Sequence, residues 1–317
     1  MTMPELSIVV PTLEYPLVDQ SVAALLSQTA PAGSYEVVVA DSRSGRWEAA
    51  VRKEAQRNRE IPVIYVRSES EGLWRSRQLN AGIRASSGRI VVFLAGDFAA
   101  NPVFVETHQR FHVERPQGEC VAIGSSSFVA EQARSPFVRW LEQGGSLFGA
   151  RMEPGDANGF FYAGNASLKR EFLDRAGLFD EDFPYDAMDD FELGERLRRA
   201  GMTSYFLPGS LAAHQHDEEV TLGGRKVYMR RSGESAAIFE RKHPGPYGWT
   251  KSCARPPWRL ELDAFLWGGV YLCRRKSEDL ERFYSARLDA AFVRGWRRGR
   301  ATGLPLSRES STDTASG

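Results

Sequence analysis

The chain has 317 residues, is 42% hydrophobic and 26% charged, and carries equal numbers of basic and acidic side chains, 41 of each. That balance excludes a disordered chain, and the length leaves room for one large α/β domain or two smaller ones around a sizeable core. The charge is unevenly spread: residues 1–224 hold 22 Lys and Arg against 31 Asp and Glu, and residues 225–317 hold the other 19 against 10. An acidic body followed by a basic third suits a tail that meets an anionic surface; it equally suits a solvated helical face.

The three cysteines, Cys120, Cys253 and Cys273, are far apart, odd in number and not in CxxC spacing. That argues against a disulfide framework or a structural zinc site and fits a reducing compartment. The opening MTMPELSIVVPT has neither a basic n-region nor an apolar h-region, so no signal peptide is expected. AFLWGGVYLC (264–273), the longest apolar stretch of the basic third, is too short to span a bilayer. The expectation is a cytoplasmic protein, soluble or peripheral to the inner face of the cell membrane.

LSIVVPT (6–12) is a β-rich apolar run closed by proline and predicts a buried strand. A helix is predicted over 16–28, a second buried strand over YEVVVADS (35–42), a helix over 46–57, a strand over IPVIYVRS (61–68), a helix over 75–86 and a fourth strand over RIVVFLAGD (89–97). Strands alternating with helices at this pace predict an α/β fold, a doubly wound, mostly parallel sheet with helices on both faces. Ligands of such sheets bind at the carboxyl ends of the strands, where Pro11, Thr12, Asp41 and Asp97 stand. Residues 101–113 read as helix and 120–129 as strand. The Gly-bearing stretch 131–158 reads as irregular, a candidate mobile loop. Residues 160–180 read as strand, turn and helix. DDFELGERLRRAG (189–201) reads as a helix with two acids at its start, where the macrodipole favours them. SYFLPGSLAAHQHD (204–217) reads as a pair of strands ending in His214 and His216. From 225 onward helices are separated by HPGPYG (243–248) and RPP (255–257), and LSRESSTDTASG (306–317) reads as a disordered tail.

SIVVPT, VVVADS, LNAGIRASSGRIVVFLAGDF, FFYAGNASLKREFLDRAGLFDEDF, DDFELGERLRRAG and AAHQH, in this order and spacing, resemble a family 2 glycosyltransferase of the GT-A fold over about residues 6–243. The resemblance implies an inverting enzyme that moves a sugar from a nucleoside diphosphate to an acceptor hydroxyl, with Mg²⁺ or Mn²⁺, in polysaccharide or glycoconjugate biosynthesis. It implies a glycosyltransferase domain over 1–243, a C-terminal helical extension over 244–305 and the tail beyond.

The chemistry of that reaction sorts the candidate residues. The resemblance assigns the nucleoside to Pro11, Thr12, Glu14 and Asp41; Asp41 could instead only cap a helix or form an Asx-turn. It places Arg75 toward the diphosphate, where a cation is needed, although an arginine there could also be surface decoration. Asn80 follows at the family's Asn position. The leaving diphosphate gathers charge, and a divalent cation bridging it acts as a Lewis acid. The family supplies Asp-x-Asp for this, whereas this chain reads Ala95-Gly96-Asp97. Asp97 with His214 is therefore expected to form a reduced metal site completed by phosphate oxygens and water; the plainer reading is that Asp97 caps the next helix. His216 is either a further ligand or a surface partner of Asp217.

The acceptor hydroxyl must lose its proton as it attacks, so a carboxylate is expected as general base. The resemblance gives that place to Asp190, with Asp189 beside it; adjacent acids raise one another's pKa, and both also complement the helix dipole. GNASLKR (164–170) matches the turn beneath the sugar, with Gly164 permitting close approach and Asn165 reaching a sugar hydroxyl. Trp140 could stack on an acceptor ring or belong to the core.

The expected partners are a nucleoside-diphosphate sugar donor and a glycan, lipid-linked or small-molecule acceptor. The mixed aromatic and arginine tail suits an interfacial helix on an anionic membrane, a helix packed on the catalytic domain, or a homodimer contact. No nucleic-acid-binding module is present in the tail. PTLEYPLVDQ lacks the glycines and cation of a nucleotidyltransferase loop. A non-catalytic nucleotide-sugar-binding protein is the alternative, supported by Ala95.

Overall fold

A computed structural model describes residues 4–13, 15, 17–69, 74–128, 135–143, 155–156, 161–215 and 221–303. The chain divides into two compact units, one of Met1–Asp180 with Asp189–Arg225, the other of Glu181–Met188 with Lys226–Gly317.

The first unit is built on one sheet. Its strands are β1 (Leu6–Pro11), β2 (Tyr35–Asp41), β3 (Val63–Arg67), β4 (Ile90–Leu94), β5 (Phe98–Ala100), β6 (Cys120–Phe128), β7 (Gly155–Asp156), β8 (Asn165–Lys169) and β9 (Thr203–His214). They lie in the order β3-β2-β1-β4-β8-β6-β9-β5, with β7 also on β9. β3, β2, β1 and β4 run parallel. β8 is antiparallel to both β4 and β6, and β6 is parallel to β9. The interleaved helices are α1 (Val18–Leu25), α2 (Glu48–Arg57), α3 (Arg75–Ala85), α4 (Phe104–Glu114), α5 (Pro136–Gln143), α6 (Arg170–Ala176) and α7 (Asp189–Arg199).

β1, β2 and β4 are buried at every residue, so they read as mainly apolar runs, broken only by Ser7, Glu36 and Asp41, rather than alternating ones. Their alternation is instead between two cores. Leu6, Ile8 and Val10 of β1 join Val18, Val22, Leu25 and Phe104 on one face. Val9 joins Val91, Phe93, Leu79, Ile83, Leu193 and Leu197 on the other. Phe93 packs edge-on against Phe179 at 5.3 Å and Phe161 at 6.3 Å; truncating such a side chain to alanine costs about 3–5 kcal/mol.

Three elements differ from the sequence reading. Residues 204–217 contain one strand, not two, because Pro208-Gly209 sits at an irregularity where the partner of Gly124 is Leu207 and that of Ser125 is Leu211. A helix, α5, lies inside the stretch read as irregular. A short strand, β5, follows Asp97 directly.

The second unit is helical: α8 (Leu222–Lys242), α9 (Thr250–Cys253), α10 (Pro257–Arg274) and α11 (Ser277–Thr302). A Cβ on Gly295 would stand 1.9 Å from the Arg230 carbonyl oxygen, so α8 and α11 cross with backbone almost in contact. Glu240 accepts one indole N–H from Trp249 and one from Trp296, each at 2.9 Å. No described helix is long and apolar enough to cross a membrane.

Candidate active site

The carboxyl ends of β1 and β4 meet at Gly96. A Cβ there would stand 2.4 Å from the Pro11 carbonyl oxygen, so the middle residue of the Ala-Gly-Asp turn has no room for a side chain. Ser21 Oγ donates to the Gly96 carbonyl at 2.8 Å and fixes the turn. Ala95 N–H donates to Gly164 O at 3.0 Å, tying the end of β4 to the backbone ahead of β8.

β5 then pairs Phe98 with His214 at the end of β9. This register sets His214 Nε2 3.0 Å from Asp97 Oδ2, both side chains largely buried. The His214 ring is steadied edge-on by Phe98 and Phe128 at 5.5 and 5.3 Å. Asp97 does not cap α4, whose N-cap Val103 has no side-chain capping bond. Two neighbouring ligands of an octahedral ion with bonds of about 2.1 Å stand about 3.0 Å apart, so the spacing and the carboxylate–imidazole donor set both fit a divalent cation. Among the described residues no group of three or more His, Cys, Asp or Glu could hold a metal; the remaining ligands of such an ion would come from substrate and water.

Asp189 and Asp190 open α7. Arg75, the first residue of α3, grips Asp189 through both carboxylate oxygens, Nε to Oδ2 at 2.9 Å and Nη2 to Oδ1. The same Nη2 lies 3.2 Å from Asp190 Oδ2. Burial works against the guanidinium charge, but the two carboxylates outweigh it and hold the Arg75 pKa well above its ordinary value. Asp190 is raised above the ordinary carboxylate range, chiefly by burial and further by Asp189, against the pull of Arg75. Its Oδ1 accepts the N–H of Phe191 at 2.9 Å, and the backbone N–H of Ala163, the neighbour of Gly164, also favours its charged form. One backbone path, Ala163–Gly164 to Ala95–Asp97, therefore joins Asp190 to the Asp97–His214 pair.

Arg75 is thus engaged with carboxylates where the sequence reading turned it toward a phosphate. Asp41 is fully buried and accepts four protein donors: Thr12 Oγ1 at 2.5 Å, Ser42 N at 2.7 Å, Trp47 N at 2.9 Å and the Tyr65 hydroxyl. It braces the entry to α2. Pro11 and Thr12 end β1 buried beside it. Glu14 and His216 lie outside the described residues.

Asn80 holds the Phe179 backbone with both ends of its amide, at 2.9 and 3.0 Å, and is buried; its work is to lock α3 to the segment after α6. Asn165 is fully buried, donates to the carbonyls of Ser125 and Ser210 at 2.9 Å each and meets His108 Nε2 at 3.3 Å. Its polar atoms are taken up inside the sheet. Trp140 packs against Phe137 of its own helix, ring centroids 5.8 Å apart and tilted by 31°.

Gln78 was not singled out by sequence. Its Oε1 accepts the N–H of Leu13 at 3.0 Å, holding that residue at φ 44°, a conformation disfavoured for a leucine. It lies three residues after Arg75 on α3, the one signal that could have found it.

A profile of the glycosyl transferase family 2 matches residues 7–177. The chain belongs to glycosyl transferase family 2. Among this family 2 chain's curated relatives, a hyaluronan synthase of Pasteurella multocida is 24% identical over 78% of the chain and 28% of its own length. A chondroitin synthase of Escherichia coli is 24% identical over 75% of the chain and 39% of its own length. The chain thus spans well under half the length of either. Among solved structures, a mannosyltransferase of Pyrobaculum calidifontis in complex with GDP-Man and Mn²⁺ superposes with a TM-score of 0.61 at 17% identity, over 94% of this chain and 89% of that one. That likeness shows the family 2 chain to have the GT-A-type fold, a mixed α/β sheet with C-terminal helices.

Proposed function

We propose that the chain is an inverting glycosyltransferase that moves a sugar from a nucleoside-diphosphate sugar to an acceptor hydroxyl, with Asp190 as general base. The observation that carries this reading is the setting of Asp190. Its pKa is raised, chiefly by burial, Arg75 Nη2 stands 3.2 Å from it, and the Ala163 N–H that favours its charge precedes Gly164, whose carbonyl accepts the Ala95 N–H ahead of the Asp97–His214 pair.

The roles follow from chemistry. Asp190 takes the proton of the acceptor hydroxyl as that oxygen attacks, and a base whose pKa approaches the working pH does so best. Asp189 does not touch the acceptor; it anchors Arg75, which fixes Asp190. Attack opposite the leaving diphosphate inverts the anomeric carbon. Asp97 and His214 would hold Mg²⁺ or Mn²⁺, which supplies Lewis-acid stabilisation to the departing diphosphate; the mannosyltransferase solved with GDP-Man and Mn²⁺ supports this choice. The nucleoside is assigned to the ends of β1 and β2, by Pro11, Thr12 and Glu14, with Asp41 bracing them. Gly164 lies beneath the sugar. The hyaluronan and chondroitin synthase relatives favour a glycan acceptor over a lipid-linked or small-molecule one. We assign this chemistry to residues 1–243, with 244–305 as a helical extension.

A second reading rests on Ala95, which leaves the metal pair without a further carboxylate: a protein that binds a nucleotide sugar without turnover. Thermal shifts with UDP-, GDP- and dTDP-sugars, with and without Mn²⁺, test both readings. A donor that stabilises the protein only with Mn²⁺, followed by transfer that Asp190→Asn abolishes, establishes the enzyme. Stabilisation without turnover selects the second reading, and the absence of any shift sinks both.

A further inference from the structure

α10 carries an apolar face that no described residue of its own unit covers. Phe265 is 76% exposed, Leu272 65%, Trp258 61%, Leu266 54% and Leu262 49%. At 3.6 residues per turn these five fall within an arc of about 120°, and the positions that share the arc are Gly269 and Cys273. No charged side chain interrupts it. The opposite side, Leu260 and Ala264, is buried. Isolated exposed leucines need no explanation, but a contiguous stripe of this length marks a contact surface.

Charge decides the occupant. Arg255 and Arg259 flank the start of the helix and Arg274, Arg275 and Lys276 its end, all exposed. The two acids of the helix are already matched, Glu261 by Arg287 and Arg294 and Asp263 by Arg255; Asp279 pairs with Arg274 at 3.7 Å, and among the described residues no carboxylate pairs with Arg259, Arg275 or Lys276, which keeps each end cationic. Because both ends of α10 are cationic, two copies laid face to face would oppose cation to cation whichever way they ran, which disfavours a dimer seam. α10 is not apolar enough to span a bilayer, and an amphipathic helix with an aromatic and leucine face between arginines is built to lie in the interface plane.

We infer that α10 is an in-plane anchor for an anionic lipid surface, seating Trp258, Leu262, Phe265, Leu266 and Leu272 among the acyl chains with the flanking cations at the headgroups. The inference stands apart from the transfer reaction, which its test does not measure.

The full chain is sedimented with vesicles of phosphatidylcholine alone and of phosphatidylcholine containing phosphatidylglycerol, at low and high salt. Wild type is expected to pellet with the anionic vesicles and to be released by salt. Phe265→Ser/Leu266→Ser, at exposed positions and with an unchanged melting curve, should weaken that partition by at least about tenfold. Arg274→Gln/Arg275→Gln/Lys276→Gln should weaken it and flatten its salt dependence. Wild type that stays in solution with anionic vesicles overturns the inference. So does light scattering that shows a dimer which Phe265→Ser/Leu266→Ser converts to monomer, since a second copy would then be the occupant.

Discussion

Arg75 and Asp189 lie 114 residues apart in sequence and form a two-pronged buried ion pair, Nε to Oδ2 at 2.9 Å and Nη2 to Oδ1, that ties the start of α3 to the start of α7. Removing one partner strands the other charge in the interior. Arg75→Met is therefore expected to cost about 3–5 kcal/mol, whereas Arg75→Met/Asp189→Leu costs less than the single change, because it leaves one buried carboxylate, Asp190, without its cation rather than two. Urea titrations of the three proteins decide it. A double variant less stable than Arg75→Met would mean that the pair contributes more than its own neutralisation.

Asp190 sets the expected pH dependence. Burial, assisted by Asp189 and opposed by Arg75, raises its pKa, and a base works only when deprotonated. Turnover should rise with pH through that raised value, placing the acid limb of kcat/KM above the ordinary aspartate value of about 3.9. Asp190→Asn should lower kcat by about 10²–10⁴-fold while the donor still shifts the melting temperature. Stability runs the other way. Between the ordinary and the raised pKa the folded state binds more protons than the unfolded, so this group's contribution falls as pH rises. An acid limb at or below the ordinary value would remove Asp190 from the role.

The parallel half of the sheet was legible because β1, β2 and β4 are dominated by apolar residues and the intervening helices follow at regular spacing. β9 was not. Pro208-Gly209 carries the local signature of a turn, but pairing with β6 on both sides of the irregularity carries the strand through. The site divides in the same way. Asp97, Asp190 and His214 were placed by the motif resemblance, and the fold sets Asp97 and His214 3.0 Å apart. The engagement of Asn165, Asn80 and Arg75 depends on partners 40 or more residues away, which no local pattern encodes. Asp41 shows the mixture: its bonds to Ser42 and Trp47 are local, while those to Thr12 and Tyr65 exist only once β1, β2 and β3 are aligned.

The Asp97–His214 pair predicts a metal-dependent response. With a nucleoside diphosphate present, Mn²⁺ should raise the melting temperature of wild type. Asp97→Asn and His214→Ala should each weaken apparent Mn²⁺ affinity by at least about tenfold, worth about 1.4 kcal/mol of ligand-linked stability at a fixed subsaturating concentration. Isothermal titration of Mn²⁺ into the nucleotide complex gives the same comparison without catalysis. Unchanged affinity in both variants would exclude the pair as ligands.

A buried histidine pair should make the fold acid-labile by a route separate from catalysis. His108 and His112, one turn apart on α4, meet Ser167 of β8 from either side, Nδ1 at 2.8 Å and Nε2 at 2.9 Å. Burial lowers His108 to about 4. It lowers His112 to about 3, with His108 and Lys169 adding to the effect. An unfolded histidine takes its proton near pH 6.5, so below that value the unfolded chain binds protons that the folded one refuses. The stability present above pH 6.5 is then lost as pH falls, by about 2 kcal/mol per histidine between pH 6 and pH 4.5. Carboxylates also titrate toward the lower end of this window, so the informative quantity is a difference. His112→Gln removes one titrating group and should shrink the loss measured by urea unfolding at the two pH values by about 2 kcal/mol. An equal loss in wild type and variant would show that His112 is protonated in the folded state and that its burial does not exclude the charge.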